Sequence, residues 1–588
     1  MLTDDHTLLQ ARSATARIRT NAHVTPDDPA VIFVRDPDSP DGDETWSYAR
    51  LDHEARKIAG WLQERYAPGD RVLLLYPESL QFAAAFVGCL YAGMVAVPSS
   101  LPGQYSHQRR RVDSIVENAA VAAVLTSEAV AANVLDWAAS DPGREITCAV
   151  TDGPGFTVAH AEAWQVPDVD RNTLALLQYT SGSTSDPKGV MVHHGNLLHT
   201  TRLPSAPPSD STAPPASARG SRSTTTWDCS RSCCPPLLLG GSCVLMSPTT
   251  FLKRPHRWLR MIDKYRIHWS AAPNFAYELC ARQITEEQLA ELDLSCWRFA
   301  ANGSEPVQAS TLTAFAKRFA PAGFRSDTMA PCYGMAEATV FISGTGPREL
   351  AVTRVDETLL ERHEFRPVTE GRPGREVVSC GRAEEYTVRI VDPATREVLP
   401  AGRVGEIWLR GPSVAQGYWG REDATVETFG VSTLAGDTGY VRTGDLGTLH
   451  DDEIYVTGRL KEMLILRGRN IYPQDVEHAL RRLHPELVGL FGAAFAVPVA
   501  GADGATEEQL VVVHEVRGSV GAEELPRLAA RIRGGIARDF SVRPAAVALV
   551  RRGAVLRTTS GKIQRAAMRA QYLDGLMESR HLDGPPAA

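Results

Sequence analysis

The chain has 588 residues, which at roughly 150 residues per domain makes about four compact units or fewer large ones. Its 62 Lys and Arg against 70 Asp and Glu leave a net charge of −8, an acidic balance that argues against a nucleic-acid-binding surface as its main business. With 43% apolar and 22% charged residues and only 10 Cys, it is neither a disordered chain nor a disulfide scaffold, and a reducing cytoplasm is the expected location.

The first twenty residues carry no apolar core or cleavage signal, so secretion is not expected. The longest apolar stretch, Leu80 to Val97, is shorter than the span of about 20 residues that a membrane helix needs. It follows a strand-like run from Arg71 to Pro77, and Gly93 punctuates it before a second such run. Strand, helix, strand is therefore predicted, with no membrane span. Val121 to Ser127 and Thr173 to Tyr179 read as further buried strands, and Met191 to Leu203 has helical spacing. Short apolar strands alternating with helices predict an α/β fold with largely parallel sheets. From about Glu376 to Tyr455 short alternating runs broken by Gly and Asp predict a small β-rich, barrel-like unit. The remainder mixes strands with amphipathic helices and predicts an α+β module, fraying at the last residues.

The segment Tyr179 to Val190, YTSGSTSDPKGV, combines Gly, hydroxyl side chains and a closing lysine after a buried strand. Small residues let backbone N–H groups turn towards one point, and hydroxyls add donors, which suits a polyphosphate. The spacing is not that of a P-loop, and a solvated flexible loop is the competing explanation. Other residues have two readings each when taken alone. Tyr333 is a base-stacking ring or ordinary core, Glu337 a magnesium ligand or a solvated charge. Asp445 is a ribose acceptor or part of a Thr-Gly-Asp turn. Lys562 stands in a Ser-Gly-Lys loop and reads equally as a surface lysine.

Taken together, these segments resemble the adenylate-forming superfamily of acyl-CoA synthetases, nonribosomal adenylation domains and luciferases. Five signatures stand in that family's order: the loop Thr180 to Lys188, Tyr333-Gly-Met-Ala-Glu337, Tyr440 to Gly447, Gly458-Arg459-Leu-Lys461 and Thr558 to Lys562. The resemblance implies a large N-terminal domain, residues 1–457, of two mostly parallel α/β sheets plus a small β-barrel. A small mobile C-terminal α+β domain, residues 458–588, would follow it. It also implies ATP and Mg2+. The nucleotide would be held by Thr180, Ser181, Gly182, Ser183, Thr184 and Lys188 on the phosphates. Gly303, Ser304, Tyr333, Gly334 and Met335 would surround the base, Asp445 would take the ribose, and Arg459 of the hinge signature would also bind the nucleotide. Glu337 and Thr184 would hold the metal, Lys562 and Glu337 would be catalytic, and Lys461 would be the hinge.

Within the superfamily the chain looks like the fatty acyl-AMP ligases, which load fatty acids onto carrier proteins of polyketide and peptide synthases. The resemblance rests on the QYTSGST loop, Ala336-Glu337, Asn302 to Val307, Gly468 to Glu477, and an extended segment from about Pro347 to Arg375 similar to the ligase-specific insertion. The implied partners are a fatty acid and an acyl carrier protein; a fatty acyl-CoA ligase is the alternative.

Residues 201–236 depart from this pattern. Seven Pro, eight Ser and three Cys in 36 residues predict a disordered linker, where the family has a strand and a His-Asp-Met-Gly-Leu signature. Read one base upstream, the codons of Thr225 to Cys229 permit His-Asp-Met-Gly-Leu, with Gly and Leu compelled by Trp227-Asp228 and Asp228-Cys229. A frameshifted window that returns to frame near Pro236 is one explanation, and an inactive relative is its consequence.

Overall fold

The computed structural model describes residues 10–39, 42–103, 106–141, 143, 146–180, 187–201, 222–225, 229–346, 348–369, 371–466, 469–500, 506–558 and 561–584. Two sheets dominate the first 340 residues. The first has six strands in the order Thr147–Val150, Ala123–Thr126, Arg71–Leu75, Val95–Ser99, Leu174–Tyr179, Gly189–His193, all parallel but the last pair. The stretch Leu80–Ala92 is a buried helix, as its flanks predict. Ser79 caps its start by accepting from the Phe82 N–H, and Gly93 ends it in the left-handed region at φ 74°. Among the described residues no helix is long and apolar enough to cross a membrane.

The second sheet has eight strands. Its centre is Met329–Tyr333, Phe299–Asn302, Trp269–Ala272, Arg222–Thr225, Ser242–Met246 and Pro29–Val34, parallel throughout, with an antiparallel strand at each edge. Helices Tyr48–Gln63 and Leu80–Ala92 share one core with Val31 and Leu245 of this sheet and Val72 and Leu74 of the other. Each such buried side chain contributes about 2 kcal/mol.

The linker expected over 201–236 is corrected where residues are described. Arg222–Thr225 is an interior strand, its Ser223 in register with both Cys243 and Trp269. Cys229–Leu239 is a helix that contains Pro235 and Pro236, with Cys234, Leu237 and Leu238 buried. Neighbouring strands on both sides present unpaired backbone groups, and a short Thr-rich stretch satisfies them whatever the surrounding composition says. Residues 202–221 and 226–228 lie outside the described set.

The β-rich unit is built around an antiparallel meander of Thr387–Val391, Gly405–Arg410, Val441–His450 and Glu453–Arg459, bridged from Tyr455 to Ser379. A turn at Leu460–Glu462 leads into the hairpin Leu464–Leu466 and Arg469–Ile471. Beyond it a four-stranded sheet, Gly492–Ala500, Thr506–Val516, Ala546–Arg551 and His581–Asp583, carries helices Pro473–Leu483, Leu525–Phe540 and Arg565–Leu573. Leu525, Leu528, Ala529, Ile532 and Ile536 form the buried face of the second helix, at the spacing its sequence predicts.

Candidate active site

Three parallel strands of the larger sheet, Trp269–Ala272, Phe299–Asn302 and Met329–Tyr333, end at one crevice, the position at which open α/β sheets present ligand sites. Gly303 and Ser304 follow Phe299–Asn302, and Gly334 and Met335 follow Met329–Tyr333; all four line a cavity of about 970 Å³. Close approach explains the glycines. A Cβ on Gly303 would stand 2.9 Å from the Cys332 carbonyl oxygen, and one on Gly334 would stand 1.6 Å from that of Val340. Thr180 and Lys188 line the same cavity and close the mouth of the loop between them, the Thr180 N–H donating to the Lys188 carbonyl at 3.1 Å. Arg111 donates to the Thr180 carbonyl at 3.2 Å. Ser181, Gly182, Ser183 and Thr184 lie outside the described residues.

Glu337 sits on a single tight turn, Ala336–Ala338, and is nearly buried on the cavity wall. The two residues beyond that turn, Thr339 at φ 52° and Val340 at φ 83°, are β-branched in the left-handed region, a strained arrangement that neighbours must hold. Thr200 Oγ1 donates to the Thr339 carbonyl at 2.8 Å, Thr339 Oγ1 to that of Ser413 at 2.7 Å, and the Ala415 N–H to that of Glu337 at 2.8 Å. The Glu337 carboxylate itself accepts from the Tyr418 hydroxyl at 2.7 Å.

Asp445 is buried between Tyr333 and Arg459. The Tyr333 hydroxyl donates to Oδ2 at 2.9 Å and Arg459 Nε to Oδ1 at 2.8 Å. Burial, then the charge of Asp445, pushes the Tyr333 phenol up, and Asp445 raises the Arg459 guanidinium in turn, so both donors keep their protons. A carboxylate has about four acceptor sites, so two remain for a ligand's hydroxyls. Tyr333 and Arg459 line the first cavity, whereas Asp445 faces a second of about 920 Å³ that shares Ser304, Tyr333 and Gly334 as a wall.

Lys562 lines both cavities. Its loop is a turn in which the Lys562 N–H donates to Thr558 Oγ1 at 3.1 Å and the Thr558 N–H to the Lys562 carbonyl at 2.8 Å. Glu305, to which sequence reasoning gave no role, accepts from the Phe275 N–H at 2.7 Å. Burial pushes its carboxyl up, and that N–H, Arg481 and Lys562 pull it back. Lys461 lines the first cavity within the turn Leu460–Glu462. The following residue, Glu462, accepts from Arg565, which also forms a two-pronged pair with Glu477 at 2.8 and 2.7 Å.

A family model described as AMP-binding enzyme matches residues 18–419. A medium-chain-fatty-acid–[acyl-carrier-protein] ligase, JamA of Moorena producens (strain JHB), is 40% identical over 553 residues, 90% of each chain. The long-chain-fatty-acid–AMP ligase FadD26 of Mycobacterium marinum is 34% identical over 95% of this chain and 97% of its own. The chain is a fatty acyl-AMP ligase by family. Its fold is shared with the fatty acyl-adenylate ligase of L. pneumophila solved with acyl adenylate and pyrophosphate, at a TM-score of 0.73 and 32% identity over 99% of both chains.

Among its described residues the ligase gathers no three His, Cys, Asp or Glu side chains into a metal cage. The Glu337 carboxylate on the cavity wall nevertheless fits Mg2+, which is ordinarily held by one or two carboxylates together with substrate phosphates and water. Sequence reasoning missed Tyr418, Thr200 and Glu305. The one local signal was Gln416-Gly-Tyr-Trp-Gly420, an aromatic pair between glycines that adopt positive φ.

Proposed function

We propose that this ligase joins a fatty acid to AMP at the expense of ATP, releasing pyrophosphate, and then passes the acyl group to the phosphopantetheine thiol of a carrier protein. The observation that carries the reading is the convergence of Lys188, Glu337, Arg459 and Lys562, from four distant segments, on one cavity. Its wall also includes the small apolar side chains of Ala271 and Ala301, beside Trp269, a surface that suits an alkyl chain.

In the first step a carboxylate oxygen attacks the α-phosphorus, the bond to the bridging oxygen breaks, and pyrophosphate leaves with the electron pair. Both reactants are anions, so neutralising charge is the main catalytic task. Lys562 supplies one positive charge at the cavity from the C-terminal side, and Lys188 with the loop Ser181 to Thr184 holds the outer phosphates. Asp445 takes the ribose hydroxyls on its remaining acceptor sites, while Tyr333 and Gly303-Ser304 flank the base. Glu337, with Thr184, would hold Mg2+, which when bound neutralises phosphate oxygens as a Lewis acid. In the second step the thiol gives up its proton to solvent, its sulfur attacks the acyl carbonyl carbon, the bond from that carbon to the phosphate oxygen breaks, and AMP leaves with the electron pair.

The division at 457/458, with Lys461 as hinge, belongs to the same proposal, since two half-reactions need two sets of walls around one site. Contacts of the segment 348–375 favour a carrier-protein ligase over a CoA ligase. Its Glu361 grips Arg469 through both oxygens at 2.8 and 2.6 Å, and Arg375 pairs with Asp475 at 2.9 Å. Both pairs tie this insertion to the C-terminal side and oppose rotation to a CoA-using arrangement.

Incubation with ATP, Mg2+ and a fatty-acid panel, with and without CoA, tests the assignment. Pyrophosphate release with acyl-adenylate accumulation supports it, and acyl-CoA formation favours the CoA ligase. No pyrophosphate on any chain length favours an inactive protein, the consequence expected from the composition of 201–236 alone, against which the strand Arg222–Thr225 and the helix Cys229–Leu239 stand. For that last reading a gene sequence unable to encode His-Asp-Met-Gly-Leu in the upstream frame removes the frameshift explanation.

A further inference from the structure

Tyr418 connects the two parts of the site that must face a triphosphate from different directions. Its backbone is knitted to the strand that closes the phosphate loop. Val190 and Tyr418 form a bridge, the Trp419 N–H donates to the Gly189 carbonyl at 2.8 Å, and the Met191 N–H donates to that of Gly417 at 3.0 Å. The face of its ring carries the Lys188 ammonium 4.8 Å from the centroid, and its hydroxyl donates to Glu337 Oε1 at 2.7 Å. Phe429 packs edge-on against the same ring at 5.2 Å.

We propose that Tyr418 is a positioning residue, which sets the Glu337 carboxylate and the Lys188 ammonium at one spacing for a magnesium-bound triphosphate. The proposal rests on the nucleotide-binding reading given above. The turn fixes where the Glu337 side chain leaves the backbone but not its side-chain torsions, so the aim of the carboxylate comes from the hydroxyl that donates to it. Removing the hydroxyl leaves the carboxylate without its fixed donor, and removing the ring also releases the ammonium, held there by the attraction of a cation for a π face.

The test uses the full-length chain and calorimetric binding of ATP at graded Mg2+ in the absence of fatty acid. Tyr418→Phe keeps the ring and its packing. It is expected to raise the Mg2+ concentration for half-saturation about tenfold, the usual worth of a charge-assisted hydrogen bond, with ATP binding restored at high Mg2+. Tyr418→Leu is expected to weaken binding a further few-fold, and high Mg2+ should not recover that part, because it acts through Lys188. In a Glu337→Gln background, Tyr418→Phe is expected to change little. Wild-type Mg2+ dependence in Tyr418→Phe overturns the proposal, as does an equal loss with and without Glu337. A Tyr418→Phe protein that does not fold assigns the residue a structural role and also overturns it. Failure of the wild-type chain to bind Mg2+ and ATP overturns the nucleotide reading itself, a different result.

Discussion

Tyr333 and Arg459 hold opposite oxygens of the same carboxylate, that of Asp445, from segments more than a hundred residues apart in the chain. All three side chains are drawn from signatures assigned to one nucleotide, and the pairing orients the Asp445 oxygens before any ligand arrives. Asp445→Ala strips both donors of their acceptor. It is expected to weaken ATP binding about 10- to 100-fold, and titration calorimetry reads the change. Unchanged affinity would remove Asp445 from the nucleotide site.

Lys562 is exposed on a turn, so its removal carries little penalty for the fold. Lys562→Ala is expected to slow pyrophosphate release by about 10²- to 10³-fold, as loss of one transition-state charge partner does. Its melting temperature should stay near that of the wild type. A wild-type rate would place the catalytic charge elsewhere.

At Gly334 a methyl group would meet the Val340 carbonyl oxygen, and Val340 is already in the left-handed region. Gly334→Ala is therefore expected to cost about 1–3 kcal/mol in chemical denaturation and most of the activity. Gly346→Ala, where a Cβ meets nothing within 4 Å, serves as the neutral control. Equal denaturation midpoints for the two variants would contradict the steric argument.

Burial pushes the Asp475 carboxyl up to about 6, against the opposing pull of Arg375. Unfolded, the same group titrates near 4, so between about pH 4 and 6 the native state binds the extra proton. This group's contribution to stability consequently rises as pH falls through 6 and is lost as pH rises through it. Asp475→Asn should flatten that part of the melting temperature against pH, measured from pH 4 to 7. Parallel curves for the two proteins would refute the assignment.

Arg565 binds Glu462 of the turn beside Lys461 and, two-pronged, the buried Glu477, so it braces the Lys562 loop against the expected hinge. Arg565→Met leaves Glu477 without its charge partner and is expected to destabilise the chain by about 3–5 kcal/mol. A denaturation midpoint within error of the wild type would show that water replaces the guanidinium there.

Much of the fold was legible because it is written locally. Ser79, the apolar helix behind it and Gly93 specify a start, a body and a stop within fifteen positions, and no distant partner is needed to read them. The signature residues were legible for a related reason: each motif keeps its chemical groups within a few positions. The strand Arg222–Thr225 was not legible. Its composition describes a linker, and only the empty place between Ser242–Met246 and Trp269–Ala272 makes it a strand.

By itself, the sequence determined the alternation of strands and helices, the glycine- and hydroxyl-rich composition of the segment after Tyr179 and the identity of the charged side chains, all of which depend on neighbours along the chain. Tertiary structure alone decided that Tyr418 meets Glu337 across 81 positions, that Thr200 braces Thr339, and that Lys562 faces the same space as Lys188. The reason is geometric. A hydrogen bond or an ion pair needs its atoms within about 3 Å, and separation in sequence carries no information about that distance until the sheets and the C-terminal helices have packed.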